Sequence, residues 1–229
     1  MAMTTTTITM GDVASPVPLL KLMAWLSPAF PVGAFAYSHG LEWAVDVGDI
    51  VNEATLRSWL EDVLARGTGR NDTILLRHAH RAAGDAAALA GIAALALATA
   101  SGRERFNESL AQGQAFVLAA APWGQPALPE RTPYPVAVGA LAGAHAIPED
   151  ATAAAYLQAF ASNLISAAVR LVPLGQTAGL RVLAGLEPVI VTTATETRGA
   201  TLDDLGGCAF RSDLAASRHE TQYTRLFRS

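Results

Sequence analysis

The amino-acid sequence predicts an all-α protein, built as a single irregular bundle of roughly eight to ten helices. Hydrophobic residues make up 51% of the 229 residues, and alanine, the strongest helix former, supplies much of that share. Apolar residues recur three and four positions apart along most of the chain, which is the spacing of an amphipathic helix. Only residues 188–195 have the β-branched composition of a strand, and the same residues are equally compatible with a helix held by packing.

Proline, glycine and capping residues bound the predicted helices of the first half. The pattern predicts helices at 18–27 and 36–47, separated by a loop that contains Pro28 and Pro31. A third helix begins at Asn52, a good N-cap, and ends at Gly67 and Gly69. A fourth begins at Asn71 or Asp72 and is broken at Gly84. Alanine-rich helices follow at about 85–100 and 103–121.

A proline-rich linker is predicted at 122–135, because five prolines fall within that segment. After it we expect a helix at 136–146, then a long helix that begins at Pro148 and carries an apolar stripe to Leu171. Pro173 interrupts, and a further helix runs to about Leu186. Residues 1–16 are predicted to be a disordered leader, and residues 17–229 one domain.

The charge and composition exclude several classes of protein. A net charge of −4 gives no reason to expect nucleic-acid binding. No apolar stretch approaches the length of a membrane span, no signal peptide is present, and the one cysteine fits a reducing compartment, so we expect a cytoplasmic protein. Charged residues are only 16% of the chain, which indicates either a surface covered by a partner or a large core in an alanine-rich sequence.

No catalytic constellation emerges from the sequence, since neither a phosphate-binding P-loop nor a dinucleotide fingerprint is present. His78 and His80 point to different sides of a helix and cannot chelate one ion, so no metal site is predicted. Cys208 is interpreted as a buried or half-buried thiol. Glu104 and Glu108 share a helix face with neighbouring arginines, which favours an ordinary salt-bridged surface.

Three segments remain informative: the loop at 27–43, the joint VRLVPLGQ at 169–176, and the ending SRHETQYTRLFRS at 217–229. In the joint, Arg170 either stabilises its own helix end or presents a guanidinium to a partner. In the ending, Ser217 and Glu220 have capping-box spacing, so a terminal helix can begin there. The arginines and aromatic residues of the ending are also the types that dominate protein interfaces.

These three segments resemble the signatures of the UreF family of urease accessory proteins, in the order and spacing of a full-length member. The resemblance spans about residues 19–229. It implies an all-α, non-enzymatic protein whose partner-binding tail lies at 211–229. The residues that it implies for partner binding are Pro31, Gly33, Tyr37, Ser38, His39, Glu42, Arg170, Pro173, Gln176, Arg218, His219, Glu220, Gln222, Tyr223, Arg225, Phe227 and Arg228.

The resemblance also implies a role and a set of partners. Members of the family bridge the accessory protein UreD (also called UreH) and the GTPase UreG, and this assembly acts on the urease apoprotein during nickel insertion. The family members form homodimers, and a modulating role toward the GTPase is implied. Two residues depart from the family pattern, since His39 stands where glutamine is common and Arg170 where lysine is frequent. The alternative hypothesis is an intrinsic nickel or zinc carrier.

Overall fold

The protein is described by a computed structural model over residues 15–229, and that range contains ten α-helices and no strand. The helices are α1 (Val17–Trp25), α2 (Leu41–Asp46), α3 (Glu53–Ala65), α4 (Thr68–Arg81), α5 (Ala86–Ala98), α6 (Arg103–Ala119), α7 (Tyr134–Ala144), α8 (Glu149–Leu171), α9 (Gly175–Glu196) and α10 (Phe210–His219). The predicted all-α fold class is confirmed. Residues 1–14 of the predicted leader lie outside the described range.

The helices α4 and α7 make the closest contact of the bundle, and two glycines of α7 allow it. At Gly139 the backbone of α7 lies directly against the carbonyl oxygen of Leu76, and at Gly143 against that of His80. A Cβ atom at either position would overlap those carbonyl groups. Every residue of α7 from Pro135 to Ala142 is buried, so α7 is the central helix of the fold.

Apolar side chains form two large clusters on either side of α8. The first joins α2, α3, α8 and α9, and the second joins α1, α6 and α7 around Trp25 and Phe116. Tyr156 of α8 belongs to the second cluster and Leu157 to the first. The stripe predicted for α8 therefore serves two faces of one helix, which places α8 between the two halves of the core.

A fully buried arginine ties α4 to the ends of α8 and α9. The guanidinium of Arg77 donates to the carboxylates of Glu149 and Asp150, and its Nε lies 3.3 Å from Oγ1 of Thr197. Its side chain is only 1% exposed. Burial by itself raises the pKa of the Glu149 carboxyl, but hydrogen bonds from Arg81 and Arg77 lower the pKa below its ordinary value. Arg77 is therefore an interior residue of the bundle and not part of a solvated helix face.

The ends of three predicted helices are wrong, for different reasons. The helix predicted at 36–47 begins only at Leu41, because residues 34–36 form a single 3₁₀ turn and extended backbone follows at Tyr37. The helix predicted from Asn71 or Asp72 begins at Thr68, since both polar side chains face other segments. The helix predicted to end near Leu186 continues to Glu196, with Pro188 inside it.

The candidate strand at 188–195 is accordingly wrong, and the alternative of a helix held by packing is confirmed. Pro188 occupies an exposed position of α9, while Ile190 and Ala194 are buried in the cluster that joins α9 to α3 and α8. Packing of this buried face offsets the poor helix propensity of the β-branched residues. The proline-rich segment after α6 contains one short turn at Ala121–Trp123 and leads to α7 at Tyr134.

Candidate functional site

The loop before α2, the end of α8 and the C-terminal tail meet at one place on the molecule. Residues 211–219 of the tail predicted at 211–229 belong to α10, and we call the residues that follow this helix, 220–229, the tail. The backbone N–H of Ser38 donates to the main-chain oxygen of Ser229 at 2.7 Å, and the N–H of Arg228 donates to the carbonyl of Ala36 at 2.8 Å. Arg170 of α8 donates to the carbonyl of Phe35 at 2.8 Å. Three segments far apart in the chain therefore form one contiguous unit.

The loop reaches this position through left-handed backbone at two consecutive residues. His39 has φ of 54° and Gly40 has φ of 76°, and α2 begins directly afterwards. Only glycine fits at residue 40, because a Cβ there would overlap the backbone of Ala215 and Ala216 in α10. This turn directs the side chains of His39 and Glu42 inward.

The carboxylate of Glu42 holds the tail. Its Oε1 accepts the backbone N–H of Leu226 at 2.7 Å, and its Oε2 accepts that of Phe227 at 2.9 Å. The same Oε2 lies 3.2 Å from Nε2 of His219 at the end of α10. Glu42 is only 7% exposed, so these interactions form in a largely dry environment where an ionised acceptor strengthens them.

His219 is fully buried between two carboxylates. Its Nδ1 lies 2.8 Å from Oε2 of Glu104 in α6, opposite the contact with Glu42. The other oxygen of Glu104 accepts from Nη1 of Arg225 at 2.8 Å. The tail thus joins α2, α6 and α10 through charged hydrogen bonds. The sequence interpretation of Glu104 and Glu108 as an ordinary surface pair is wrong, because the tail covers that face of α6.

Glu108 forms a second buried group next to the first. Its Oε1 lies 2.8 Å from Nε2 of His39, and its Oε2 accepts from the Ser229 hydroxyl at 3.1 Å. Burial raises the pKa of the Glu108 carboxyl, but the charges of His39 and Arg105 outweigh burial, so the pKa lies below its ordinary value of 4.5. Glu108 is therefore an ionised acceptor at neutral pH, and its network links the loop, α6 and the end of the tail.

The Glu108 network continues inward to α4 and α8. Arg105 pairs with Asp72, and Asp72 accepts from the Tyr156 hydroxyl at 2.7 Å. Burial and the adjacent Asp72 charge raise the pKa of Tyr156 well above its ordinary value, so the phenol stays a donor. Because Nη1 of Arg105 also lies 3.4 Å from Oε1 of Glu108, a chain of ion pairs and hydrogen bonds connects the tail to the centre of the bundle.

Arg170 has the first of the two roles left open by the sequence, at the end of its own helix, and its role toward a partner stays a prediction. Its Nε donates to the carbonyl of Ser166 at 3.1 Å, within the last turns of α8. Its guanidinium also lies over the ring of Phe227 with the carbon 4.4 Å from the ring centre, and it binds Phe35 of the loop. Arg170 is exposed on its outer side and so remains accessible.

The remaining predicted residues divide by exposure. The buried ones lie inside the unit and position it, and they include Tyr37, Ser38, His39, Glu42, His219 and Phe227. Glu220 is half-buried and its carboxylate accepts the backbone N–H of Glu104 at 3.2 Å, while Gly33 and Gln222 are also half-buried. The exposed ones are Pro31, Arg170, Pro173, Gln176, Arg218, Tyr223, Arg225 and Arg228.

Two exposed apolar residues, one in the loop and one in the tail, were missed by the sequence analysis. Phe35 is 68% exposed and Leu226 is 77% exposed, and Tyr223 of the tail is fully exposed. Their positions were informative, since Phe35 lies in the loop at 27–43 and Leu226 in the ending at 217–229, but apolar side chains are expected to face inward. The capping box predicted at Ser217 is wrong, because Ser217 lies near the end of α10 rather than at the start of a helix.

The histidines and the cysteine that a metal carrier would need do not come together in one site. His78 and His80 have separate hydrogen-bond partners, and Cys208 is exposed. His78 and His80 lie near the carbonyl oxygens of Ala200 and Ile147, respectively, at 3.0 and 2.7 Å. Within residues 15–229 no group of three or more histidine, cysteine or carboxylate side chains is arranged to hold a metal ion. Cys208 is exposed, so its interpretation as a buried thiol is wrong.

None of the helices in the described part of the chain combines the length and apolar character that crossing a membrane requires.

Comparison with known proteins identifies the same family that the loop, the joint and the ending resemble. The UreF family model matches residues 50–187. A urease accessory protein UreF of Rhodopseudomonas palustris strain BisB18 is 52% identical over 226 residues, covering 94% of both chains.

Two further relatives have the same name. The urease accessory protein UreF of Xanthobacter autotrophicus is 54% identical over 229 residues, covering 96% of this chain and 94% of the relative. The one of Methylorubrum populi is 53% identical over 223 residues, covering 93% of this chain and the whole relative. The chain belongs to the UreF family of urease accessory proteins.

Proposed function

We propose that this chain serves urease maturation as a non-enzymatic scaffold in the cytoplasm. In this proposal it bridges UreD/UreH and the GTPase UreG, modulates GTP-dependent nickel insertion into the urease apoprotein, and acts as a homodimer. The family membership supports the accessory role, because the relatives are named for it. The partners come from the resemblance of the loop, the joint and the tail to the family signatures.

The observation that carries the proposal is the convergence of these three segments on one exposed surface. We call this the tail surface, and its members are Phe35, Arg170, Tyr223, Arg225, Leu226 and Arg228. Arginine and tyrosine dominate binding energy at protein interfaces, and exposed phenylalanine and leucine add apolar area. Exposed apolar side chains that are grouped on one surface and flanked by polar residues mark interaction sites.

The buried residues beneath the tail surface explain why the signatures include so many groups that a partner cannot touch. Glu42 and Arg170 hold the backbone and the Phe227 ring, and the intervening residues are thereby presented in a defined conformation. Pre-organisation of this kind lowers the entropic cost of binding. The arginines favour a partner surface with negative charge, because charge complementarity accelerates and orients association.

Reconstituted urease activation tests the proposal. Urease apoprotein and its accessory proteins are produced with the full chain, with a chain lacking residues 220–229, or without the chain. We expect nickel content and urease activity to require the full chain, and we expect the shortened chain to keep its helical content but lose activation. Equal nickel content and activity without the chain would overturn the proposed function.

A matched pair of variants separates the tail surface from general surface effects. Tyr223→Ala should reduce recovery of UreD/UreH or UreG in a pull-down, whereas Arg66→Ala should not, because Arg66 is an exposed arginine that pairs with Asp62, four residues earlier in the chain. Calorimetric titration of the isolated chain with Ni²⁺ or Zn²⁺ addresses the alternative of a metal carrier. Tight stoichiometric binding, with activation insensitive to Tyr223→Ala, would favour the carrier and contradict the scaffold.

A further inference from the structure

The ring of His219 is enclosed by acceptors from two different helices. Glu42 of α2 lies 3.2 Å from Nε2, and Glu104 of α6 lies 2.8 Å from Nδ1. The side chain of His219 has no exposed surface. Water therefore does not reach the ring in the docked structure, and its hydrogen bonds must be formed with these two carboxylates.

The hydrogen-bond inventory determines the charge of the ring. Both oxygens of Glu42 accept backbone N–H groups of the tail, and Glu104 accepts from the guanidinium of Arg225. Both carboxylates are thus surrounded by donors and act as ionised acceptors. A neutral imidazole has only one N–H, and its other nitrogen would direct a lone pair at a carboxylate. Only an imidazolium satisfies both contacts.

The charges around His219 balance only when the ring is protonated. Glu42 and Glu104 supply two negative charges, and the ring and Arg225 supply two positive ones. Glu220 also carries negative charge here and lies 3.9 Å from the guanidinium of Arg103. The other charged groups facing this region form the adjacent network, in which Glu108 is paired with His39 and Arg105.

We infer that the imidazolium of His219 is a charged latch that keeps the tail docked, and that loss of its proton releases residues 220–229 from the body of the protein. Deprotonation leaves two buried carboxylates opposite Arg225 alone and turns one ring contact from attractive to repulsive. Glu42 then faces an unprotonated nitrogen of the ring while it accepts from the Leu226 and Phe227 amides. The tail therefore leaves, and these amides form hydrogen bonds with water instead.

The direction of the pH dependence follows from proton linkage. The docked tail requires a protonated ring and the released tail does not, so docking takes up a proton. Docking is therefore strongest at low pH and weakens as the pH rises, by up to about tenfold per pH unit over the range in which the ring is neutral in the released state and protonated in the docked state. The tail surface is presented in the protonated state, and that consequence for partner binding rests on the proposed function.

Spin-label mobility in the full chain, without any partner, tests the latch. The exposed native cysteine is removed with Cys208→Ser, and a nitroxide is attached through Tyr223→Cys, at a wholly exposed position of the tail. Between pH 6 and pH 9 we expect the mobile fraction of the spectrum to rise by about tenfold or more. A label attached through Leu118→Cys, on an exposed site of α6, should show no change and reports the integrity of the bundle.

Two substitutions distinguish a charged latch from a merely structural histidine. His219→Gln should leave the tail mobile at both pH values. Glu104→Gln should make the tail insensitive to pH and keep it docked at pH 9, since the amide can donate to a neutral ring. His78→Gln, remote from the tail, should respond to pH like the unaltered chain.

Three results would each overturn the inference: equal mobility of the unaltered chain at both pH values, a rigid tail in His219→Gln, or alkaline release that persists in Glu104→Gln. The isolated chain is sufficient for every measurement. Failure of the latch is thereby distinguished from failure of the proposed function, which is measured by urease activation.

Discussion

Replacing Glu42 by alanine should detach the tail while the helical bundle stays folded. The substitution removes the acceptor of two backbone N–H groups, at 2.7 and 2.9 Å, and one carboxylate facing the His219 ring. Each hydrogen bond to a charged acceptor contributes about 1.5–3 kcal/mol, and removing one partner of a buried charged pair costs about 3–5 kcal/mol. These contributions overlap, so we expect docking to weaken by about 3–5 kcal/mol.

That loss is large enough to measure directly. Since 1.4 kcal/mol corresponds to a tenfold change, the released population should rise by about two to four orders of magnitude. Hydrogen exchange at constant pH, followed by mass spectrometry, reports the amides of Leu226 and Phe227 separately from those of α7. We expect at least about a hundredfold faster exchange in the tail and unchanged exchange in α7, because Glu42 lies outside the α4–α7 contact.

Glu61→Ala is the matched control for this prediction. Glu61 is a glutamate of α3 that forms a surface ion pair with Arg57, so its removal should change neither region. Two results would refute the reasoning. Unchanged protection of the tail in Glu42→Ala would show that the carboxylate does not hold it, and equally accelerated exchange in α7 would show that Glu42 supports the whole fold instead.

Three further predictions concern the body of the protein and are read from thermal or denaturant unfolding. Gly139→Ala should destabilise the folded protein by about 3 kcal/mol, since the new Cβ would overlap a carbonyl of α4. Gly91→Ala, at an open helical site, should stabilise it by up to about 1 kcal/mol, and equal effects of the two variants would contradict the close contact. Arg77→Ala should lower the free energy of unfolding by about 3–5 kcal/mol, whereas the exposed Arg66→Ala should change it by roughly zero. A loss below about 1 kcal/mol in Arg77→Ala would exclude a structural role for the Arg77–Glu149 pair. The folded pKa of Glu108 lies below 4.5, so the stability that its ionised carboxylate contributes should be present above that pH and lost as the pH falls through the folded pKa. Glu108→Gln should therefore flatten the acid side of a stability–pH profile, and an unchanged profile would refute this.

Helical periodicity was sufficient for much of the fold because it depends on neighbours in the sequence. The stripe of α3, with Leu56, Leu60 and Leu64, is buried as its spacing predicts, and Asn52 caps the helix as expected. The same reasoning was insufficient at 188–195, where the choice between strand and helix depended on which face packs against α3 and α8. Local propensity has no information about that contact.

The sequence was sufficient to identify the segments that form the site, but it did not show how these segments contact one another. The loop, Arg170 and the tail were all identified, but their mutual contact depends on left-handed backbone at His39 and Gly40. Glu104 and Glu108 have the spacing of a surface pair, and only the distant tail makes them interior residues.

The central claim is that the loop, the end of α8 and the tail form one partner-binding surface. The dissociation constant of the chain for purified UreD/UreH tests this most directly, measured for Arg170→Ala and Tyr223→Ala, which come from two different segments, and for Arg66→Ala as the control. We predict that each of the first two variants binds at least about tenfold more weakly and that the control binds like the unaltered chain. Unchanged affinity in both Arg170→Ala and Tyr223→Ala would contradict the claim.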